Sequence, residues 1–308
     1  MNTLANALNT AIGRRDKLLK VTNALRLVNG TGDGLDGLLI DRYHKHFQIQ
    51  VLKGHWHQQM DEICKSLASS LPVEYLIVKT RQGLEIRQEI LAGTDPETIV
   101  SEYGIKFKVN LNDGLNCGLF LDMRHNRRMV GEFAKARKVL NCFSYTCAFG
   151  VHARAQGACE VINTDISRKV LERGKINYQL NDMTPSPGEF VKVDSVSYLQ
   201  RALKKNNKFD VIILDPPSFA RYDEGVFQVK RDMPELIDLS VRVLNGGGAL
   251  WVSTNYSETS YTDLEKMLAD HLNGRRVAQI QRVRQDEDFT LSNSFKESYL
   301  VGLWVKFL

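Results

Sequence analysis

Three aspartates close apolar runs in the second half of the chain. "CEVINTD" ends at Asp165, "EFVKVD" at Asp194 and "FDVIILD" at Asp215. A carboxylate just past a buried strand accepts hydrogen bonds, and a pair of ribose hydroxyls donates them. Asp194 with Ser195 could face an adenine edge. Each acid taken singly is also a good helix N-cap, and "DIS" and "DSVS" read well as caps. Their recurrence at three successive strand ends favours a shared ligand. The third acid opens "DPPSFA", where Pro216 and Pro217 fix an extended backbone and remove two amide donors. Such a turn aims carbonyls at a substrate nitrogen, and Phe219 adds a face for stacking a base. A plain strand-ending turn is the competing reading. A further run, "GALWVST", ends beside Asn255.

The stretch "VLNCFSYTCAFGVHARAQGA" precedes these acids. It reads as strand, turn and helix, but Cys147 sits in the turn and the first glycine is Gly150. The five cysteines are odd in number and show no C-x-x-C spacing, which argues against a disulfide framework and a zinc ribbon. Cys147 reads as a test of the turn's geometry more than as a nucleophile. Cys142 reads as core. His44, His46, His55 and His57 form two H-x-H pairs without supporting ligands, so surface histidines are favoured over a metal.

Strands and helices alternate from about residue 137, which predicts a mostly parallel seven-stranded sheet with helices on both faces, an α/β fold. The last two runs, "VAQIQRV" and "SYLVGLWVKF", lack that rhythm and could pair antiparallel at one edge. Ahead of this unit, residues 28–114 read as a small α+β domain and residues 1–27 as a basic helix, with 3 to about 26 helical and Leu18, Leu19 and Leu25 as packing positions. "VNGTGDGLDGLLIDRY" predicts a hairpin turn rather than a phosphate loop. The 308 residues suffice for two cores, and no apolar run reaches the ~20 residues of a membrane span. Cytoplasm is the expected location. The net charge of +5 leans mildly towards a polyanionic partner, through clusters such as Arg14, Arg15, Lys17 and Lys20.

In order and spacing the chain resembles a class I S-adenosylmethionine-dependent methyltransferase. It resembles in particular the large-subunit (23S) rRNA methyltransferases that usually begin with an RNA-binding PUA domain. "LRLVNGTGDGLDGLLIDRY", "GLFLDMRHNRR", "VLNCFSYTCAFGVHA", "INTDISRKVLERGKINYQLN", "FDVIILDPPSFA" and "FKESYL" carry the resemblance over residues 25 to 300. It implies a Rossmann-like domain over 115–308, S-adenosylmethionine as cofactor with S-adenosylhomocysteine as product, rRNA as partner, and a middle domain that helps form an RNA groove. A homodimer is an assembly the reading allows. Phe120, Asp122, Arg124 and Arg127 fall in the segment that closes over the cofactor. Phe143, Ser144, Tyr145 and Thr146 surround its methionine end, Asp165 and Ile166 its ribose, and Asp194 and Ser195 its adenine. Asp215, Pro216, Pro217, Phe219 and Asn255 stand at the methyl-transfer end.

Three departures bear on function. The PUA domain is not visible ahead of the linker-like "NTAIGRRDKLLKVTNALRL". Cys147 replaces a family glycine, so a positive φ there would mark strain kept for the cofactor. "STNYSE" lacks the cysteine of cytosine-C5 members. Cytosine C5 methylation needs a thiolate, whereas guanine N7 offers an in-plane lone pair and needs no general base. Guanine N7 is therefore favoured. Cytosine C5, an exocyclic amine, a small-molecule substrate and a non-catalytic RNA-binding or assembly role remain as alternatives.

Overall fold

The computed structural model describes residues 4–83, 85–222, 225–291 and 300–308, with residues 82, 219–222, 225 and 226 described by backbone alone. The chain divides into two compact units. One takes residues 1–124 and 286–297; the other takes 125–285 and 298–308.

The first unit opens with α1 (Leu4–Gly13), followed by β1 (Ala24–Asn29), β2 (Leu38–Tyr43), β3 (His46–Val51), α2 (Met60–Ser70), β4 (Tyr75–Gln82) and β5 (Glu85–Ala92). The five strands form one sheet in sequence order. Only β3 and β4 pair in parallel, because α2 provides their crossover. A hairpin of β6 (Glu97–Glu102) and β7 (Ile105–Asn110) follows. The core joins Leu8 and Ala11 of α1 to Leu25, Phe47, Ile49, Leu67 and Val78.

The sequence predicts one helix over 3 to about 26, but α1 stops at Gly13 and β1 begins at Ala24. Arg15 explains the reversal. It is buried, and its guanidinium donates to the Ala11 and Arg26 carbonyls and to the Asp33 carboxylate. These bonds fold the chain back where helical periodicity would have continued. Leu25 is consequently a strand residue, and Leu19 is exposed. The expected hairpin forms between β1 and β2. The histidine pairs do not share strand faces: His44 lies in the β2–β3 turn at φ +61°, and His55 and His57 lie on a 3-10 turn.

The expected divisions at 27 and 114 differ from these units. Residues 1–27 supply both a helix and a strand to the first unit, the change of unit falls after Arg124, and 286–297 count with the first unit. Arg124 is fully buried there. It donates to the Ala24 carbonyl and pairs with Asp286 at 2.9 Å and Asp288 at 2.8 Å. Asp288 also accepts from the Arg26 amide at 2.7 Å.

The second unit holds α3 (Arg124–Phe133, its first residue counting with the first unit), β8 (Lys138–Cys142), α4 (Ala148–Ala155), β9 (Glu160–Asp165), α5 (Arg168–Gln179), β10 (Phe190–Lys192), α6 (Ser195–Lys204) and β11 (Phe209–Leu214). A two-stranded hairpin, β12 (Phe219–Tyr222) with β13 (Gly225–Gln228), precedes α7 (Val229–Val243); β14 (Leu244–Thr254), α8 (Tyr261–Asp270), β15 (Val277–Val283) and β16 (Val301–Phe307) complete it. The sheet order is β10-β9-β8-β11-β14-β16-β15. Strands β8 to β11, β10 and β14 pair in parallel, and β16 runs antiparallel between β14 and β15. This is the expected α/β fold. Strand order reverses between β8 and β11, which makes their carboxyl ends the topological switch point. Trp251 and Trp304 are among the largest fully buried side chains. Among the described residues no helix is long and apolar enough to cross a membrane.

Candidate active site

The turn after β8 alternates in handedness. Phe143, Tyr145 and Cys147 have φ of +54°, +50° and +62°. Such backbone is strained for residues with a Cβ and persists only where its surroundings over-determine it. Here the surroundings do so. The Ser144 amide donates to the Thr164 carbonyl, the Cys147 amide donates to the Ser144 carbonyl, and the Tyr145 amide donates to Oδ2 of Asp165 at 2.9 Å. From α5, Asn177 donates its amide to the Thr146 carbonyl at 3.0 Å. The side chains of Ser144 and Thr146 are buried, while Phe143 and Tyr145 are half-buried.

The thiol of Cys147 points inward. A Cβ built on Gly174 of α5 would lie 2.4 Å from its sulfur, so the two positions share one volume. Burial pushes the Cys147 thiol far up, and pushes that of Cys142 up to about 12. Gly150 serves a second close approach, since a Cβ there would meet Oδ1 of the buried Asn163 at 2.2 Å. Asn163 cannot readily give way. It accepts from Asn141 at 2.9 Å and donates to the Tyr178 hydroxyl at 3.2 Å. Gly174→Ala is expected to destabilise the protein by ~1–3 kcal/mol through overpacking. In a Cys147→Gly background the same change should cost much less. A thermal-melt double-mutant cycle with no coupling would refute the shared volume.

Asp165 sits at the end of β9 and is half-buried. Besides Tyr145, it accepts from the Ser167 amide at 2.9 Å. Burial raises its carboxyl above the ordinary range, against the lowering effect of its backbone hydrogen bonds. Ile166 beside it is exposed. Asp194 caps α6 by accepting from the Ser197 amide at 2.8 Å, so its cap reading is realised, and Ser195 is buried.

At the ends of β11 and β14 two side-chain bonds join the strands. Ser253 donates to Oδ1 of Asp215 at 2.6 Å, and Ser218 donates to Oδ1 of Asn255 at 2.7 Å. Asp215 and Ser218 are half-buried, Pro216 is buried, and Pro217 and Asn255 are exposed. Phe219 opens β12, and its side chain lies outside the described residues, as does most of "FKESYL".

Phe120, Asp122 and Arg124 belong to the first unit, whereas Arg127 and the remaining predicted site residues belong to the second. Phe120 is 41% exposed. Asp122 accepts from the Asp286 amide through its carbonyl. Arg127, on α3, is buried. Arg124 departs from expectation, because its guanidinium is committed to Asp286 and Asp288. Sequence reasoning missed Asn177, Gly174, Ser218 and Ser253. The visible signal for Asn177 was a polar residue on the buried face of α5, in line with Leu171, Gly174 and Tyr178.

The donor set fits S-adenosylmethionine. Asp165, Asp194 and Asp215 offer carboxylates at the ends of β9, β10 and β11, on either side of the turn after β8, suited to hydroxyls, an amino group and a sulfonium. The model of the S-adenosylmethionine-dependent methyltransferase family matches residues 24–266. The chain is 33% identical to ribosomal RNA large subunit methyltransferase I of Aliivibrio fischeri strain MJ11, over 97% of this chain and 77% of that protein. It is 35% identical to the Tolumonas auensis protein of the same name, over 92% and 75%. The crystal structure of SMU.776 complexed with SAH superposes with a TM-score of 0.88 at 27% identity, covering 98% of this chain and 80% of that one. A tRNA m1G37 methyltransferase from M. jannaschii, at 14% identity and a TM-score of 0.59, shares the fold.

Proposed function

Because the chain belongs to the S-adenosylmethionine-dependent methyltransferase family, we propose that it methylates large-subunit rRNA in the cytoplasm, with guanine N7 as the acceptor atom. The relatives' names support the RNA class. The observation that carries the atom is that, among the described residues, no usable thiol stands at the carboxyl ends of the second unit's strands. Cys142 and Cys147 are buried with raised pKa, and Cys159 precedes β9 at its amino end. A cytosine-C5 enzyme needs a thiolate to add to the ring. A guanine N7 lone pair needs only proximity, alignment and a receptive electrostatic setting.

The cofactor supplies a methyl group activated on a sulfonium. In this reading Asp165 binds its ribose, with Ile166 as an apolar wall, and Asp194 and Ser195 lie at the adenine. The backbone of Phe143, Ser144, Tyr145 and Thr146 cradles the methionine end. The resemblance also implies Phe120, Asp122 and Arg127 as cofactor-binding residues; Arg124 is assigned to the fold instead, since its charge is already spent on two aspartates. Asp215, Pro216, Pro217 and Phe219 seat the base. Asn255 accepts from Ser218 through Oδ1, so its Nδ2 is the atom left to donate. A donor suits the acceptor-only O6/N7 edge of guanine and opposes the cytosine amino group.

Mass spectrometry of rRNA nucleosides from a deletion strain tests this. One 7-methylguanosine should be lost, and purified protein should restore it on undermodified rRNA. Loss of 5-methylcytidine instead would overturn the N7 assignment. No change in any nucleoside would overturn the rRNA assignment.

A further inference from the structure

Trp251 and Ser253 alternate on β14 with side chains on the same face of the sheet, and both are fully buried. The indole Nε1 of Trp251 lies 2.7 Å from the Ser253 hydroxyl, which in turn lies 2.6 Å from Oδ1 of Asp215. The polarity of this chain is not a matter of choice. An indole N–H can only donate, so the Ser253 oxygen must accept from it. The single hydroxyl hydrogen is then directed to Asp215, with no water to compete at a buried serine. Asp215 is thereby held as an acceptor at Oδ1, in one orientation, from beneath the sheet end.

We infer that Ser253, oriented by Trp251, is a positioning residue that holds the Asp215 carboxylate against the base that becomes cationic during methyl transfer. The inference rests on the guanine N7 reading. In that reaction the N7 lone pair becomes the new N–CH3 bond, the S–CH3 bonding pair stays on sulfur, and no proton moves. One positive charge therefore leaves the sulfonium and ends on the purine. A fixed carboxylate beside the ring stabilises that arriving charge without having to reorganise, which is the condition under which electrostatic stabilisation is most effective. A carboxylate free to rotate into solvent would lose most of this effect. The neighbouring Ser218–Asn255 bond ties the other side of the same turn to β14, so the two strand tips move as one piece.

The test compares Ser253→Ala with Ser253→Thr, which keeps the hydroxyl. For Ser253→Ala, kcat on undermodified rRNA should fall ~10-fold or more, while calorimetric affinity for S-adenosylhomocysteine stays within about twofold. Ser253→Thr should recover most of the rate. The chain has three tryptophans, so the Trp251 indole signal is resolvable by 15N NMR. It should shift upfield and exchange faster in Ser253→Ala and return in Ser253→Thr. Should the alanine variant fail to fold, Ser253→Cys, nearly isosteric and a weak donor, carries the same contrast. A Ser253→Ala enzyme with wild-type kcat, an unmoved indole signal, or a threonine variant as slow as alanine would each overturn the inference. Wild-type protein that forms no 7-methylguanosine condemns the reading beneath it. Wild-type product with an unaffected Ser253→Ala rate condemns the inference alone.

Discussion

Asp165→Ala is expected to weaken S-adenosylhomocysteine binding by ~10–100-fold, equivalent to ~1.5–3 kcal/mol for hydrogen bonds to a charged group. The loss has two sources that the structure separates. One is the proposed pair of bonds to ribose hydroxyls. The other is internal, because Oδ2 accepts from the Tyr145 amide and Oδ1 from the Ser167 amide. Removing the carboxylate orphans the amide of a left-handed residue in the middle of the cofactor turn, so the strained turn loses one of its supports. Calorimetry paired with a thermal melt distinguishes the contributions. Lower affinity with an unchanged melting temperature points to the ligand bonds; a fall in both points to the turn. Unchanged affinity would mean that Asp165 does not bind the cofactor and that the turn tolerates its loss.

Arg124→Ala is expected to destabilise the first unit by ~3–5 kcal/mol, the cost of taking the guanidinium away from the fully buried Asp288 carboxylate. Asp286 and Asp288 both point at this one guanidinium, and neither can reach water easily. Urea denaturation followed in the first unit measures the effect, for example by hydrogen exchange in β1 and β2. A loss below ~1 kcal/mol would show that the aspartates find other partners. The same cluster has a pH signature. Burial raises the Asp288 carboxyl to about 6, with Asp286 pushing the same way and Arg124 opposing. A native pKa above the unfolded value means that the native state binds more protons between about 4 and 6. The contribution of Asp288 is therefore fully present below the unfolded pKa and is lost as pH rises through 6. Wild-type stability relative to Asp288→Asn should fall over that interval. A difference independent of pH would exclude titration of Asp288 in that range.

Cys147 shows how far a local motif can be read. The resemblance implies a glycine where the sequence has Cys147, and a φ of +62° is the conformation that glycine would adopt freely. What no linear pattern reveals is that the sulfur occupies the volume in front of Gly174, some twenty-seven residues later. Its thiol is thus a packing element, and burial disfavours the thiolate. The strain at this turn is balanced by Asp165 and Asn177, which hold it from two other elements.

The seven strands of the second unit's main sheet, the parallel pairing of the first five and the acids that follow three of them are legible in the sequence, whereas the β12–β13 hairpin and α8 are not. Alternating apolar runs and helical periodicity are local signals, and a carboxylate that follows a buried run must emerge at a strand end. The sequence also determined the hairpin around Gly30–Gly37, because tight backbone turns need residues of that kind in series. Tertiary structure alone decided the rest. The break of the first helix at Gly13 depends on Arg15 reaching Asp33 and Arg26, bonds that outweigh helical propensity only once the sheet exists. The assignment of Arg124 to the fold depends on Asp286 and Asp288, which come from a segment more than one hundred and sixty residues away in sequence. The orientation of Asp215 depends on a serine and a tryptophan that, read locally, are ordinary residues of a buried strand. Side-chain hydrogen bonds between distant elements leave no periodicity in the chain, because their energy is realised only when packing has already brought donor and acceptor together.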